Sequence, residues 1–201
     1  MKRRAFIASA ALPLLGAHAA VQFPAVTPRP LVFPRDHGAH PEYRTEWWYL
    51  TGWLDADPQP LGFQVTFFRT RTEIDPANPS RFAAQQLVIA HAAIADPARS
   101  SLLKDERIAR AGFGVAEASE ADTDVRLDRW RFHRRADGAY ECSLPARAFT
   151  LEFTAQPTQP LLLQGDDGYS RKGPQTAQAS YYYSQPQLRV QAKLQRDGGM
   201  R

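Results

Sequence analysis

The sequence is poor in cysteine and methionine, and it shows no internal repeat and no low-complexity tract. Cys142 is the single cysteine, so a disulfide within the chain is excluded. It alternates with Tyr140 and Leu144, which predicts that its side chain is buried in a core. Ser170 and Ser184 lack the glycine-flanked setting of a nucleophilic serine. The sequence therefore gives no sign of a disulfide-stapled domain or of a serine hydrolase.

No apolar run in the first residues is long enough to cross a bilayer as a helix. Residues 5–15 form an apolar run of eleven residues behind Lys2, Arg3 and Arg4, and Ala17-His18-Ala19 fits a small-residue cleavage pattern. This order predicts an export signal over residues 1–19 and a periplasmic or secreted protein. The paired arginines fit either a twin-arginine signal or a general secretory signal.

Strong net charge is also lacking. The chain has 25 basic and 21 acidic residues. Without the three basic residues of the signal, 22 basic and 21 acidic residues remain, a net charge of +1. A charge so close to zero gives no reason to expect nucleic acid as a partner.

Prolines and glycines separate short apolar stretches, which is typical of strands joined by turns. Residues 20–35 are proline-rich and predict an extended arm. Strands are predicted at residues 45–54, 61–70, 85–94, 125–134, 140–144, 149–154, 178–184 and 188–195. Residues 101–110 could instead hold one or two helical turns. Strands at this spacing without amphipathic helices between them predict an all-β antiparallel sandwich or barrel over residues 36–201.

Two loops and one alternating strand refine this prediction. Residues 55–60 indicate a hairpin loop, and Asp137-Gly138 is a strong hairpin signal. Between them, Trp130 and Phe132 should face inwards. The alternating Arg129, Arg131 and His133 should then form a solvated outer face.

Residues 46–53 read EWWYLTGW and hold three of the four tryptophans. Alternation places Trp47 and Tyr49 on one face and Glu46 and Trp48 on the other. Both faces carry aromatic bulk, so we expect this strand to be covered on both sides or to line an apolar cavity. Glu46 is the anomaly, because buried carboxylates are rare unless they are paired.

These residues resemble the AttH/CrtC family, which includes carotenoid 1,2-hydratase. The resemblance is carried by residues 36–49 (DHGAHPEYRTEWWY), Thr51-Gly52, Gly62-Phe63-Gln64, Phe67-Phe68-Arg69, His91-Ala92-Ala93-Ile94, Lys172-Gly173-Pro174 and Ser180-Tyr181-Tyr182-Tyr183-Ser184. It implies a lipocalin-like β-domain, no organic cofactor, and a lipoprotein-release-type ABC transporter as an associated partner. Family members are usually longer, so we expect the chain to correspond to the first half of their architecture.

Glu46 is the candidate for chemistry. Burial beside indole rings would raise the pKa of this carboxyl group and allow it to act as a general acid. The alternative is an ion pair with Arg69 or Arg44, which would lower its pKa. Asp36, His37, His40, Glu42 and Glu46, with His91, could also be considered for zinc, but their spacing is generic and we predict no metal.

Tyr181 and Tyr183 should share one face of their strand, with Tyr182 on the other. Together with the aromatic strand they predict an apolar ligand site. Its predicted residues are Trp47, Trp48, Tyr49, Arg69, His91, Tyr181 and Tyr183. Two functions are compatible with the residues: binding of a lipid or other apolar molecule, or acid-catalysed addition of water to a terminal carbon–carbon double bond, with Glu46 as the acid.

Overall fold

Antiparallel strands make up nearly all the regular structure of the computed structural model, which describes residues 21–99, 101–175, 178–196 and 199–200. The predicted export signal lies outside these residues. The strands are β1 (Thr45–Leu54), β2 (Leu61–Arg71), β3 (Gln86–Ala95), β4 (Leu103–Arg110), β5 (Ala116–Ala118), β6 (Asp124–Leu127), β7 (Trp130–Arg134), β8 (Tyr140–Pro145), β9 (Phe149–Gln156), β10 (Leu162–Leu163), β11 (Tyr169–Arg171), β12 (Ala179–Tyr181), β13 (Tyr183–Ser184), β14 (Arg189–Arg196) and β15 (Gly199–Met200). One 3₁₀ turn, Arg35–His37, precedes them. Among the described residues, no helix is long and apolar enough to span a membrane.

The first sheet has four strands in the order β1-β2-β3-β4, so β1 lies at its edge. The loop over residues 55–60 joins β1 to β2, as predicted, and the ladder begins at the pair Leu54 and Leu61. Trp48 and Leu50 of β1 point to the core beside Phe67 and Val65 of β2. This alternation turns one face of the sheet into a continuous apolar surface.

The second sheet has seven strands in the order β15-β14-β9-β8-β7-β6-β5. The predicted hairpin at Asp137-Gly138 joins β7 to β8, with Gly138 at φ +86°, a conformation that glycine adopts without strain. Trp130 and Phe132 are buried, whereas Arg131 is exposed. The predicted alternation of this segment is confirmed.

The two sheets pack face to face through aromatic side chains. Phe67 stacks on Phe132 with ring centroids 6.4 Å apart, and Phe63 meets Phe153 at 5.5 Å. Each of these buried rings contributes about 1.5–3 kcal/mol to the free energy of unfolding through the hydrophobic effect. Cys142 lies in the same core, as predicted. The all-β antiparallel fold is confirmed, and the described sheets form an open sandwich rather than a closed barrel.

Residues 95–124 give the least clear sequence pattern, and the helical turns considered for residues 101–110 are wrong. Residues 103–110 form β4, which pairs with β3 from Leu103 to Arg110. Asp105 explains why the helix-compatible residues are extended, because its buried carboxylate accepts hydrogen bonds from the backbone N–H and the Nε of Arg147, in the loop between β8 and β9 of the opposite sheet. Pairing and this cross-sheet contact outweigh local helix propensity.

Two predicted strands are each interrupted. The segment at 125–134 is two strands, β6 and β7, because Asp128 adopts φ +55° and turns the chain between them. Aspartate tolerates this left-handed conformation better than most residues. The segment at 178–184 is split at Tyr182 into β12 and β13, which pair with β11 and β10. The two-residue β10 and three-residue β11 are too short to show the alternation of apolar and polar residues by which strands are predicted.

The outer face of β1 is less covered than its composition predicts. Tyr49 is 48% exposed and Trp53 is 72% exposed, whereas Trp48 on the inner face is 8% exposed. Of the two alternatives predicted for this strand, cover on both faces is therefore wrong for Tyr49 and Trp53. At the sheet edge, Tyr182 lies against this outer face, in contact with Trp47 and Tyr49.

Candidate functional site

A cleft of about 1480 Å³ lies between the edge strand β1 of the first sheet and β14 of the second. Residues 179–188 form its third wall. Its deep part is apolar, lined by Trp48, Leu50, Leu61, Phe132, Tyr140 and Leu194. Its outer part is lined by the aromatic residues Trp47, Tyr49, Trp53, Tyr181, Tyr182 and Tyr183. The cleft is therefore an apolar space with a rim of amphipathic rings.

Six of the eight predicted site residues line this cleft. They are Glu46, Trp47, Trp48, Tyr49, Tyr181 and Tyr183. Arg69 does not line it, since its guanidinium lies behind Glu46 and is nearly inaccessible. His91 lies on the outer face of the first sheet, exposed to solvent, with its ring 5.6 Å from that of Phe68.

The three consecutive tyrosines turn to different partners, as alternation predicts. Tyr182 faces the outer side of β1, with its ring 6.3 Å from that of Trp47 and its hydroxyl 3.4 Å from that of Tyr49. Tyr181 and Tyr183 turn the other way, towards the N-terminal residues. The segment thus connects β1 to the arm that precedes it.

His40 bridges two carboxylates at the entrance to β1. Its Nε2 lies 2.8 Å from Oδ1 of Asp36, and its Nδ1 lies 2.7 Å from Oε1 of Glu46. Burial lowers the pKa of His40, but the hydrogen bonds to these carboxylates outweigh burial and raise it above 6.5. These contacts favour the imidazolium form of His40, in which both ring nitrogens donate.

Glu46 is held as a carboxylate. Its oxygens accept hydrogen bonds from Nε of Arg69 at 2.6 Å and from the backbone N–H of His40 at 2.8 Å. Burial raises the pKa of Glu46, but the bond from His40 and the charge of Arg69 outweigh it and lower the pKa below 4.5. The ion pair of Glu46 with Arg69 that the sequence suggested is confirmed, whereas Arg44 pairs with Glu73 at 3.4 Å.

Arg69 explains why such a charge is tolerated inside the sheet. Its Nη1 donates to Oε1 of Gln86 at 2.8 Å, and its Nη2 donates to the carbonyl oxygens of His40 and Tyr43 at 3.0 and 2.9 Å. With Glu46 on its Nε, the guanidinium has hydrogen-bond acceptors on all three nitrogens. A buried cation with this many partners is stable in a way that an unpaired one is not.

The proline-rich arm is anchored to Asp36, the carboxylate on the far side of His40 from Glu46. Arg29 donates to both carboxylate oxygens of Asp36, at 2.7 and 2.8 Å, and its guanidinium lies 4.2 Å from the ring centroid of Tyr181. The hydroxyl of Tyr181 donates to the carbonyl of Thr27 at 2.7 Å. Charges of alternating sign therefore run from Arg29 through Asp36, His40 and Glu46 to Arg69. We call these five residues the ion chain.

His37 differs from His40 although it is three residues away. Its ring lies between Phe33 and Tyr183, and its Nδ1 is 2.9 Å from the hydroxyl of Tyr183. Burial and the charge of Arg134 lower its pKa to about 4, so it is neutral near pH 7. Its backbone carbonyl accepts hydrogen bonds from the side chains of Trp48 and Thr123. The backbone of His37 thus ties the 3₁₀ turn to Trp48 of β1 and to Thr123.

The sequence singled out Asp36 and His40 only as generic metal-ligand types. In the structure their side chains bond to each other, and the described residues contain no group of three or more His, Cys, Asp or Glu placed to hold a metal ion. The signal available in the sequence for the ion chain was that Asp36 and His40, four residues apart, closely precede Glu46. Tyr182 and Lys172 of the cleft wall were also missed as site residues, although both lie in segments that carry the family resemblance.

Comparison with known proteins agrees with the fold. The family model of AttH-like proteins matches residues 24–201. A crystal structure of an AttH-assigned protein from Nitrosomonas europaea is similar with a TM-score of 0.79 and 49% sequence identity. The match covers 89% of this chain and 54% of that protein, so the chain spans about half the length of this relative. No curated protein matches the chain. With a family model matching almost all the described residues, the chain belongs to the AttH-like family.

Proposed function

We propose that this AttH-like chain is an exported lipocalin-like protein that binds an apolar ligand, a lipid or an isoprenoid, in the cleft between β1 and β14. The observation that carries the proposal is a cleft of about 1480 Å³ with an apolar floor and an aromatic rim. Small-molecule pockets usually measure about 300–1,000 Å³ and are mostly apolar. The larger volume and the elongated wall of β1 favour a long-chain ligand.

The sequence resemblance to the family of carotenoid 1,2-hydratase suggests a second role, but the contacts of Glu46 count against it. Protonation of an alkene needs a carboxylic acid, whereas the hydrogen bonds from His40 and Arg69 lower the pKa of Glu46. A group held as an anion at neutral pH is a poor general acid. The geometry therefore favours a structural role for Glu46 and binding over hydration.

Export and partnership belong to the same proposal. The basic residues, apolar run and cleavage pattern of residues 1–19 support export. We expect mass spectrometry of the mature protein to give an N-terminus near Ala20. A lipoprotein-release-type transporter is the partner that the family resemblance suggests, and it would fit a carrier of apolar molecules.

Equilibrium dialysis with an acyclic carotenoid and with dodecanol tests ligand binding. We expect saturable binding, weakened about tenfold by Trp53→Ala, because a large aromatic contact in the cleft is lost. Phe82→Ala is the matched control, since Phe82 is 70% exposed, comparable with the 72% of Trp53, and does not line the cleft. The proposal would be refuted if neither compound bound saturably. It would also be refuted if Trp53→Ala and Phe82→Ala weakened binding equally.

A further inference from the structure

Lys172 lies in the cleft wall and pairs with no carboxylate among the described residues. It follows β11 in the Lys172-Gly173-Pro174 segment, where a Cβ on Gly173 would lie 2.3 Å from Oε1 of Gln178 and would displace that amide. This segment places the ammonium 4.5 Å from the ring centroid of Tyr182 and 2.9 Å from Oγ of Ser170. A cation without a counter-charge is thus held at the aromatic rim.

Ser180 supplies a second polar group on the same surface. Ser170 and Ser180 are directly opposite in the β11–β12 ladder, so their side chains share a face of this hairpin. The hydroxyl oxygen of Ser180 is buried and, among the described residues, has no hydrogen-bond partner. Most buried polar atoms have a partner. An unpaired hydroxyl in the cleft wall beside a cation therefore indicates a place for a polar ligand group.

The carboxylates of the cleft are either bound by cations or exposed, and Arg189 of β14 is a second, exposed cation in the cleft lining. Asp36 and Glu46 line it but are already bound by Arg29, His40 and Arg69. Asp55 and Asp57 belong to the loop between β1 and β2 and are exposed. Lys172 thus lies at the rim of the cleft and takes no part in the ion chain.

We propose that Lys172 and Ser180 bind the anionic headgroup of a single-chain amphiphile whose tail occupies the apolar part of the cleft. This rests on the proposed function and narrows its ligand class to fatty acids or monoalkyl phosphates. The ammonium and the hydroxyl both donate hydrogen bonds to the headgroup oxygens. The tail then passes Tyr182 and Tyr49 towards Leu50.

Three probes of equal chain length separate the headgroup from the tail: dodecanoate, dodecyl phosphate and dodecanol, measured at pH 8 below their aggregation concentrations. We expect the two anions to bind about three- to tenfold more tightly than the alcohol, as for a partly exposed charge pair. Their advantage should shrink at high salt. The stronger of the two anions identifies a carboxylate or a phosphate as the headgroup.

Variants place this preference on the proposed residues. Lys172→Met keeps an unbranched side chain and should abolish the preference for the two anions over dodecanol, and Lys172→Arg should retain it. Ser180→Ala should leave the melting temperature unchanged, since the hydroxyl it removes is unpaired, and should weaken anion binding by about two- to fivefold. Lys104→Met, on β4 away from the cleft lining, is the control for loss of a lysine charge.

The outcomes distinguish the two proposals. Equal affinities for all three probes, or an anion preference that survives Lys172→Met, would overturn the headgroup site while leaving apolar binding intact. If none of the three probes binds, both proposals are overturned.

Discussion

At the scale of single residues, Glu46 shows how a carboxylate can lie beside two tryptophans without becoming an acid. Trp48 turns its indole N–H away to the carbonyl of His37, so Glu46 meets His40 and Arg69 instead of a purely apolar wall. The side chain of Arg69 is 3% exposed and that of Glu46 is 16% exposed. Removing one partner from such a pair leaves the other charge uncompensated.

We therefore expect Glu46→Gln to lower the free energy of unfolding by about 2–4 kcal/mol, since it leaves Arg69 and His40 with a neutral partner. Chemical denaturation followed by circular dichroism measures the change. Glu73→Gln is the control, because Glu73 also pairs with an arginine but its side chain is 72% exposed. Its effect should stay within about 0.5 kcal/mol. Equal stabilities of the two variants would contradict a structural role for Glu46.

His37 and His40 should give stability a maximum near pH 6.5. The pKa of His40 is raised from 6.5, so its contribution is complete below pH 6.5 and is lost as the pH rises through its folded pKa. The pKa of His37 is lowered to about 4, so its contribution is complete above pH 6.5 and is lost as the pH falls towards 4. Melting temperatures across pH 4–9 measure both limbs.

Nuclear magnetic resonance titration of the two imidazoles provides the direct check. His40 should titrate above 6.5 and His37 well below it, each signal being assigned by its loss in His40→Gln or His37→Asn. Titration of both rings at the same pH would show that the contacts to Asp36 and Tyr183 do not hold in solution.

The sequence allowed the pair of Glu46 with Arg69 to be predicted, because an inward carboxylate needs a cation and Arg69 ends a neighbouring apolar strand. The sequence did not reveal that His40 bridges Glu46 and Asp36. A histidine in an irregular loop has no period, and the direction of its ring depends on a turn that is fixed by distant contacts. One of these is at Gly38, where a Cβ would lie 2.5 Å from the carbonyl oxygen of Glu120.

At the scale of elements, the arm over residues 21–34 has no regular strand or helix, although Asp36 and Tyr181 anchor it. Its position therefore depends on side chains and not on a backbone ladder. Arg29 is the principal anchor, because its guanidinium contacts both the carboxylate of Asp36 and the ring of Tyr181.

Arg29→Gln should release the arm while leaving the sheets intact. We expect faster hydrogen–deuterium exchange in peptides from residues 22–34 and unchanged exchange in β2 and β8, since no ladder depends on this side chain. Arg131→Gln is matched as a control, because it also breaks a two-bond contact with an aspartate, Asp124, but within the second sheet and away from the arm. If the arm exchanges equally in both variants, Arg29 does not anchor it.

Strands could be predicted where one face is buried and could not be predicted where the contacts that hold them are distant. The alternation of β7 and the Asp137-Gly138 turn are local signals, and both were sufficient. β4 is held by pairing with β3 and by the contact of Asp105 with Arg147, 42 residues away in the chain. No window of sequence contains that contact, so local helix propensity misled the prediction.

At the scale of the whole molecule, polar contacts between the two sheets of the sandwich are unevenly distributed. On one side, Arg107 of β4 donates to Asp128 and to the carbonyl of Pro145, joining the two sheets. Asp96, after β3, joins Arg196 at the end of β14. Between β1 and β14 the cleft takes the place of such contacts. Sequence alternation predicts which faces are buried, but it does not predict which edges of two sheets stay apart, so the position of the predicted apolar cavity between β1 and β14 could not be derived from it.

The different exposure of the tryptophans determines the intrinsic fluorescence of the protein. Trp130 is fully buried with Arg107 over its ring, whereas Trp53 is 72% exposed at the cleft. The intrinsic emission should therefore have a blue component that iodide cannot quench and a red component that it can. A ligand that fills the cleft should shield Trp53 and shift only the red component, which makes the unlabelled protein its own reporter of occupancy. Unchanged iodide quenching at a saturating concentration of ligand would place that ligand elsewhere.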